Sequence, residues 1–308
     1  MIARIAQREE LNFLLTNRIP RRLATRLLGW LSRLESPFVV GASLRVWKLF
    51  APDLDLSEAR TQRFRSLREC FIRELRPGAR PHDADPDVVV SPCDAVVGAC
   101  GRIEDDVVIQ AKGLPYRLVD LLGDEALVAR HRDGHFATLR LRSTMYHRFH
   151  APAACRLREV IHISGDTWNV NPIALKRVER LFCRNERVVL PLELAGLAGT
   201  LTLVPVAAIG VASLRLHCLG ATLGLRYAGP RRIPCEASYA KGAELGWFEQ
   251  GSTIIVLASA PLALADGIRE GRTLRLGEPL LVASNARLPG GSGRARGAAA
   301  GGTQTAGA

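Results

Sequence analysis

The residues best placed to do chemistry in this 308-residue chain are a glycine and a serine, Gly251 and Ser252, just before the apolar run 254–257. Glycine leaves its own peptide carbonyl unshielded and tolerates the positive φ of a tight turn. A serine hydroxyl beside such a carbonyl is suited to attack on the chain's own backbone. An ordinary turn before a strand gives the same local sequence, so this step alone is not specific.

An acid and two bases elsewhere in the chain could assist such an attack. Asp94 ends a Ser-Pro-Cys-Asp motif, and His147 and His150 lie in a Tyr-His-Arg-Phe-His motif. In a nucleophilic relay the carboxylate fixes the imidazole tautomer, and the imidazole removes the serine proton. The alternatives are a turn capped by Asp94 and histidines with ordinary hydrogen bonds. A metal site is disfavoured, because the sequence offers no evident third ligand.

The elements that must position these residues fall into a helical part and a strand-rich part. Residues 21–34 repeat leucine and tryptophan at helical spacing with arginines off that face, which predicts a basic amphipathic helix. A second helix is predicted over 57–75. Short β-rich runs punctuated by Gly and Pro dominate 88–282, with one helix near 173–181. The predicted fold class is α+β, with N-terminal amphipathic helices followed by a mainly antiparallel β barrel or sandwich.

The predicted organisation has three parts: a helical membrane-associating region over 1–81, a β-rich catalytic domain over 82–286 and a disordered tail over 287–308. The acidic, proline-bearing stretch 82–87 reads as the linker, and the tail has little to bury. The uncharged stretch 194–214 is long enough to span a bilayer. Its glycines, its proline and its strand-like alternation instead favour two buried strands joined by a turn.

Composition restricts the partners. The formal net charge of +12 suits an anionic partner, either lipid head groups or nucleic acid. Residues 1–50 carry nine Arg and Lys against three Glu, which is half of that net charge. No aromatic-interleaved basic motif of an RNA-binding kind occurs, so nucleic acid is not the expected partner. The seven cysteines are scattered without a CxxC pair, and no secretory signal is evident, so we expect reduced core thiols in a cytoplasmic compartment.

Six separated motifs occur in a specific order along the chain. They are Phe71-Ile-Arg-Glu-Leu-Arg-Pro77, Ser91-Pro-Cys-Asp94, Gln110-Ala-Lys-Gly113, Tyr146-His-Arg-Phe-His-Ala-Pro152, Leu181-Phe-Cys-Arg-Asn-Glu-Arg187 and Lys241-Gly-Ala-Glu-Leu-Gly-Trp-Phe-Glu-Gln-Gly-Ser-Thr253. In this set and order the chain resembles the phosphatidylserine decarboxylase family in its bacterial, membrane-associated form. The resemblance covers most of residues 15–260.

The resemblance implies a proenzyme that cuts itself between Gly251 and Ser252. It implies a relay in which Asp94 orients His150, His150 acts as general base, and the Ser252 hydroxyl attacks the Gly251 carbonyl. Elimination from the resulting ester and hydrolysis would leave a pyruvoyl group, a cofactor made from Ser252 itself. That group would form a Schiff base with the amine of phosphatidylserine and accept electrons as CO2 leaves, giving phosphatidylethanolamine. The resemblance assigns decarboxylation and protonation to His147.

The resemblance also implies partners and a location. The partners are phosphatidylserine, an anionic membrane surface, and the β chain (1–251) and α chain (252–308) of one precursor; a homodimer is left open. The expected location is the cytoplasmic side of the cell membrane, as a peripheral protein. The interfacial interpretation of the basic helix is preferred for the same reason.

The sequence departs from the family pattern at three positions. Ala95 follows Asp94 where the family has glycine, Gln250 replaces a leucine, and Pro205 stands in a segment where glycines are expected. On the residues alone two other functions stay open. One is a hydrolase acting on an external ester or peptide, and the other is a non-enzymatic basic protein that binds a membrane or nucleic acid.

Overall fold

The computed structural model of the chain describes residues 10, 13, 20–111, 114–209, 213–249 and 252–283. The predicted disordered tail, Gly251, Gln250 and the side chain of Ser252 lie outside this description. The helices whose first and last residues both lie in the described ranges are Arg21–Ser32 (α1), Pro37–Phe50 (α2), Leu67–Phe71 (α3), Leu118–Leu122 (α4), Glu125–His131 (α5), Pro172–Leu175 (α6) and Leu181–Arg184 (α7).

The strands of the described residues are mostly short, as the sequence predicts. The first nine are Val88–Val90 (β1), Ala95–Arg102 (β2), Val107–Ala111 (β3), Leu114–Arg117 (β4), His135–Leu141 (β5), Arg148–His150 (β6), Cys155–Ile163 (β7), Arg187–Leu194 (β8) and Thr200–Ala207 (β9). The others are Ser213–Leu216 (β10), Thr222–Gly224 (β11), Arg232–Tyr239 (β12), Glu244–Phe248 (β13), Ser252–Ala258 (β14), Leu262–Leu264 (β15), Thr273–Leu274 (β16) and Pro279–Ala283 (β17).

An eight-stranded antiparallel sheet dominates the fold, in the order β12-β7-β8-β9-β14-β5-β2-β16. A four-stranded sheet, β11-β10-β13-β6, and a three-stranded sheet, β1-β17-β15, accompany it. The predicted mixture of helices and antiparallel strands is confirmed. The alternative of a barrel is not, because β12 and β16 end the large sheet without pairing to each other in the described part of the chain. The arrangement is sandwich-like.

Strand β14 is buried on both of its faces. Ile254 and Val256 belong to one apolar cluster, whereas Ile255 and Leu257 belong to a second cluster on the opposite face. Strands covered on both sides have continuous apolar sequences instead of alternating ones. The run 254–257 therefore forms a central strand, and Ser252 begins that strand.

Of the two N-terminal helix predictions, one is confirmed and the other is mostly wrong. The helix over 21–34 is confirmed as α1, but the prediction over 57–75 is wrong outside the five residues of α3. The carboxylate of Asp55 accepts a hydrogen bond from the Ser57 N–H, and the Arg60 N–H donates to the Glu74 carbonyl. These contacts satisfy the backbone in a folded-back loop instead of a helix.

Two further differences from the prediction concern a helix that was not predicted and a predicted helix that is two short ones. Helix α2 was not predicted, because the Ser-Pro step before it is typical of the end of a helix. Proline is also favourable at the first position of a helix, which is where Pro37 lies. The single helix predicted near 173–181 is two short helices, α6 and α7. The stretch 194–214 contains β9 and the start of β10, as predicted. Within the described ranges, no helix combines the length and apolarity that a bilayer crossing requires.

Helices α1 and α2 turn apolar side chains outward. On α1 the residues at helical spacing that are buried are small, namely Thr25, Gly29 and Ser32. The large exposed apolar side chains of the two helices are Leu23, Leu27, Leu28, Trp30, Leu31, Phe38, Val46, Leu49 and Phe50. A helix that packs only on its own domain buries its apolar face, so the orientation of α1 leaves that face available for another apolar phase.

Candidate active site

The main chain of Ser252 is fixed at the end of the central strand. In β14 its Cα atom pairs with Leu141 of β5 on one side and with Ala207 of β9 on the other. Directly paired residues of antiparallel strands have Cα atoms about 5 Å apart. The position of residue 252 is thus set by two neighbouring strands.

His147 lies at the same end of the sheet. Its carbonyl accepts a hydrogen bond of 3.0 Å from the N–H of Phe248, which precedes Ser252 by four residues. Four residues of extended chain span at most about 14 Å. Leu141, the strand partner of Ser252, also precedes His147 by only six residues. The topology therefore brings His147 and Ser252 into one neighbourhood.

The imidazole of His147 has one nitrogen engaged and one without a partner. Its Nδ1 donates to the Met145 carbonyl at 2.9 Å, and its ring lies 3.9 Å from the ring of Phe71. The side chain is completely buried, and its Nε2 has no hydrogen-bond partner among the described residues. Burial lowers the pKa of His147 to about 3. The ring is neutral at pH 7 and offers a buried lone pair at Nε2.

His150 is held differently. Its Nδ1 donates to the Gly242 carbonyl at 2.8 Å, and its Nε2 accepts from the Tyr146 hydroxyl at 3.1 Å. Burial lowers the pKa of this imidazole. The ring lines a cavity of about 280 Å³ together with Tyr146 and Gly242. His150 is therefore a neutral imidazole with a fixed tautomer and access to a cavity.

The Asp94 carboxylate binds Arg80 instead of His150. The Arg80 guanidinium donates to both carboxylate oxygens, at 2.9 and 2.6 Å, and the Leu276 N–H donates to one of them at 2.8 Å. Among the described residues Asp94 makes no hydrogen bond to His150, whose Nδ1 donates to the Gly242 carbonyl. Arg80 is nearly buried and needs a charged partner, which explains why it takes the carboxylate.

Asp94 nevertheless lies close to the candidate histidines. It shares a cavity of about 200 Å³ with Tyr146 and Arg80. Val96 of β2 pairs with Arg140 of β5, which pairs in turn with Thr253 of β14. Neighbouring strands are about 4.8 Å apart, so the end of β2 lies roughly 10 Å from that of β14.

Replacing Asp94 with Asn should destabilise the protein, because it leaves the nearly buried Arg80 guanidinium with Glu58, at 2.7 Å, as its one charged partner among the described residues. We expect a loss of about 2–3 kcal/mol in the free energy of unfolding and a fall in Tm of roughly 5 °C or more. Differential scanning fluorimetry measures this. The control is Asp266→Asn, which changes an exposed carboxylate. Equal Tm values for the two variants would contradict the ion-pair interpretation.

Sequence reasoning missed the partners of the predicted residues. Tyr146 stands in the histidine motif and could have been singled out as a hydroxyl near an imidazole. Arg80 and Gly242 lie far along the chain from the residues they bind. No spacing in the sequence links them to Asp94 or to His150.

Two of the three departures from the family pattern, Ala95 and Pro205, are accommodated by the fold. Ala95 opens β2 in an extended conformation and is buried, so its methyl group needs no positive φ. Pro205 lies in β9 beside Ile254, and the register between β8 and β9 omits its position. Proline has no N–H to donate, which explains the gap in the ladder. Gln250 lies outside the described residues.

A larger cavity of about 560 Å³ opens beside the residues that flank Ser252 in the sheet. Leu141 lines it directly, and Ala208 follows the strand partner Ala207. The polar lining residues are Asp53, Arg140, Arg142, Ser143, Thr144, Asn169 and Asn171. Guanidinium and amide groups of this kind recognise carboxylates and phosphates. Phe50, at the end of α2, forms part of the rim.

Comparison with known proteins identifies the family. Residues 67–282 match the family model described as phosphatidylserine decarboxylase. The chain is 36% identical to the phosphatidylserine decarboxylase proenzyme of Brevibacillus brevis, over 86% of this chain and 95% of that protein. It is 38% identical to the proenzyme of the same name from Halorhodospira halophila, over 85% of this chain and 90% of that protein. The chain therefore belongs to the phosphatidylserine decarboxylase family.

Proposed function

We propose that this chain makes its own catalytic carbonyl group from Ser252 and uses it to convert phosphatidylserine to phosphatidylethanolamine and CO2. The decarboxylation follows from membership of the family, and the relatives named above are proenzymes. The observation that carries the proposal is the position of the Ser252 main chain, at the start of a central strand and in the neighbourhood of the buried His147.

The first reaction in the proposal is self-cleavage. A general base takes the proton of the Ser252 hydroxyl as its oxygen attacks the Gly251 carbonyl. The peptide C–N bond then breaks, the nitrogen of residue 252 takes up a proton, and an ester remains, after which the proton on the Ser252 Cα is lost to a base. The Gly251 carboxylate then leaves, and hydrolysis of the dehydroalanine releases ammonia. We assign the general base that activates the Ser252 hydroxyl to His150, whose fixed tautomer keeps its Nε2 lone pair available once the Tyr146 hydroxyl moves aside. Asp94 contributes through the charge it places in the adjoining cavity.

The neighbourhood of residue 252 fits a pyruvoyl group. His147 Nε2 is a buried acceptor without a partner among the described residues, and a reacting group beside it would satisfy it. The group supplies an electron sink for the loss of CO2. His147 is the residue we propose to hold or deliver the proton to the former α carbon. Its depressed pKa means that it returns such a proton readily.

The cavity beside Leu141 suits the head group of the substrate. Phosphatidylserine carries a phosphate, a carboxylate and an amine, and the cavity presents Arg140 and Arg142 among neutral amides. Arg142 also pairs with Asp53 at 3.0 Å, which limits its motion. We propose that the two arginines bind the anionic groups and leave the amine directed to residue 252.

The outward apolar faces of α1 and α2 support peripheral attachment to a membrane. Leucine, tryptophan and phenylalanine side chains can enter the lipid interface while nearby arginines meet anionic head groups. The Phe50 end of α2 reaches the rim of the cavity, so a lipid held at the helices has a short path to it. We place the protein on the cytoplasmic face of the cell membrane.

Substitutions on these helices should weaken binding to phosphatidylserine-containing vesicles. We expect Leu27→Glu and Phe38→Glu each to reduce vesicle binding roughly tenfold, because burying one such side chain contributes about 1.5–3 kcal/mol. Cosedimentation with vesicles measures this. Ile109→Glu is the control, since Ile109 is an exposed apolar residue of β3. An equal loss of vesicle binding in Ile109→Glu would contradict the proposal that α1 and α2 bind the membrane.

Intact-mass spectrometry of the purified protein tests self-cleavage directly. Two chains are expected, ending at Gly251 and beginning at residue 252. The smaller one should be lighter by one ammonia than a serine-terminated chain and resistant to Edman degradation. A single uncut chain with an acylatable Ser252 would instead favour the hydrolase.

A further inference from the structure

Glu249 is a buried carboxylate two residues before Gly251, and nothing in the mechanism above uses it. Its side chain is 3% exposed. The carboxylate accepts from Arg33 at 3.0 Å, from the Ser213 hydroxyl at 2.9 Å, and from the Nε of Arg68 at 3.1 Å. A terminal nitrogen of Arg68 also donates to it. Both carboxylate oxygens are therefore fully engaged by charged or hydroxyl donors.

The electrostatics of this cluster favour the ionised form. Burial by itself would raise the pKa of Glu249, but the hydrogen bonds and charges of Arg68, together with Ser213 and Arg33, outweigh burial and lower it. The main chain is held as well, because the Glu249 N–H donates to the Ser213 carbonyl at 3.0 Å. Residue 249 is thus a fixed point of the chain.

A second fixed point lies three residues further on. Ser252 is paired on both sides within the central sheet. The bond between Gly251 and Ser252 therefore belongs to a span of two residues between two anchored positions. Holding a nucleophile and its target in register accelerates an intramolecular reaction, and an error of about 1 Å can cost about 100-fold in rate.

The three donors come from different parts of the fold. Arg68 belongs to α3, Ser213 begins β10, and Arg33 is the residue at the C-terminal cap of α1. The side chain of Arg33 is 59% exposed, whereas that of Arg68 is 28% exposed. Glu249 consequently ties the segment before the cleavage site to the outward-facing helix α1.

We propose that Glu249 is a positioning residue for self-cleavage, and that its ion pair with Arg33 makes the alignment of the Gly251–Ser252 bond depend on α1. The inference rests on the proposed self-cleavage. It adds a residue that touches neither the reacting atoms nor the substrate. It also gives Arg33 a role separate from any contact with lipid.

The test compares the rate of self-cleavage in variants made by cell-free translation. Both methionines, Met1 and Met145, lie before the cleavage site, so labelled methionine reports the precursor and the larger product. We expect Glu249→Gln to slow the appearance of the 1–251 fragment at least tenfold. Glu249→Gln is nearly isosteric and leaves two partly exposed arginines that water can solvate, so the fold should persist.

Arg33→Ala tests the connection to α1. We expect it to slow cleavage several-fold with little change in Tm, because the Arg33 side chain is 59% exposed and Glu249 keeps Arg68 and Ser213 as donors. Arg33→Lys, which keeps the charge, should restore most of the rate. Arg26→Ala is the matched control, since Arg26 is an exposed arginine of the same helix. Its cleavage rate should equal that of the wild type.

A double-mutant cycle separates positioning from a general loss of stability. If Arg33 acts through Glu249, Arg33→Ala should add little to the effect of Glu249→Gln. Wild-type rates in both single variants would overturn the inference and leave self-cleavage intact. Equal slowing by Arg26→Ala, or additive effects in the cycle, would also overturn it. A wild-type chain that never cleaves would refute the proposed function itself.

Discussion

Ser252→Ala should leave the chain as one uncut polypeptide of 308 residues without decarboxylase activity. The substitution removes the hydroxyl that would attack Gly251 and the only source of the keto group at this position. We expect CO2 release from phosphatidylserine to fall by roughly 10⁴-fold or more, as when other enzymes lose their nucleophile. Denaturing electrophoresis and a radiolabelled CO2 assay measure the two losses on the same sample.

The control for this substitution is Ser238→Ala. Ser238 is an exposed serine of β12, an outer strand of the same sheet. It should cleave and turn over like the wild type. A Ser252→Ala chain that still releases CO2 would show that the reaction does not depend on a group made from this residue. A chain that is cut but inactive would separate cleavage from the serine hydroxyl.

His147→Gln should divide the two reactions. Glutamine keeps a polar side chain in the buried site but cannot take up and return a proton as an imidazole does. We expect the 1–251 fragment to form, whereas the rate of CO2 release per cleaved enzyme falls by about 10²-fold or more. Quantifying the two chains by mass spectrometry before each assay gives the necessary normalisation.

His135→Gln is a matched control for that variant. Its Nδ1 bonds to the Leu262 carbonyl at 3.0 Å, the same kind of contact that His147 makes, and it opens β5 at the opposite end from Leu141. It should leave both reactions unchanged. If His147→Gln blocked cleavage while His150→Gln cleaved normally, the roles of the two histidines would have to be exchanged.

Local sequence predicted the parts of the site that depend on neighbouring residues. The strand after Ser252 follows from its run of branched apolar residues, and α1 follows from the spacing of its leucines. The motif containing both histidines lies in and just before β6. In each of these cases the signal and the structure occupy the same short stretch of chain.

Other features depended on contacts between distant segments. Asp94 binds Arg80 because the turn before the linker folds back on the end of β1, and no periodicity encodes that contact. The helix predicted over 57–75 is wrong because Asp55 and Glu74 give the loop alternative hydrogen bonds. From the sequence, Glu249 is indistinguishable from an ordinary surface carboxylate. Its burial and its pairing with Arg33 and Arg68 depend on contacts with distant parts of the chain.

The central location of β14 has a consequence for the proposed cleavage between Gly251 and Ser252. Residues after Gly251 form β14, which pairs with β5 and β9, and β17, which pairs with β1. If the chain is cut there, these pairings hold the smaller polypeptide in the sheets of the larger one, and we expect it to dissociate only when the protein unfolds. A size measurement under native conditions should give one species with the mass of the uncut chain. The two polypeptides should separate only under denaturing conditions.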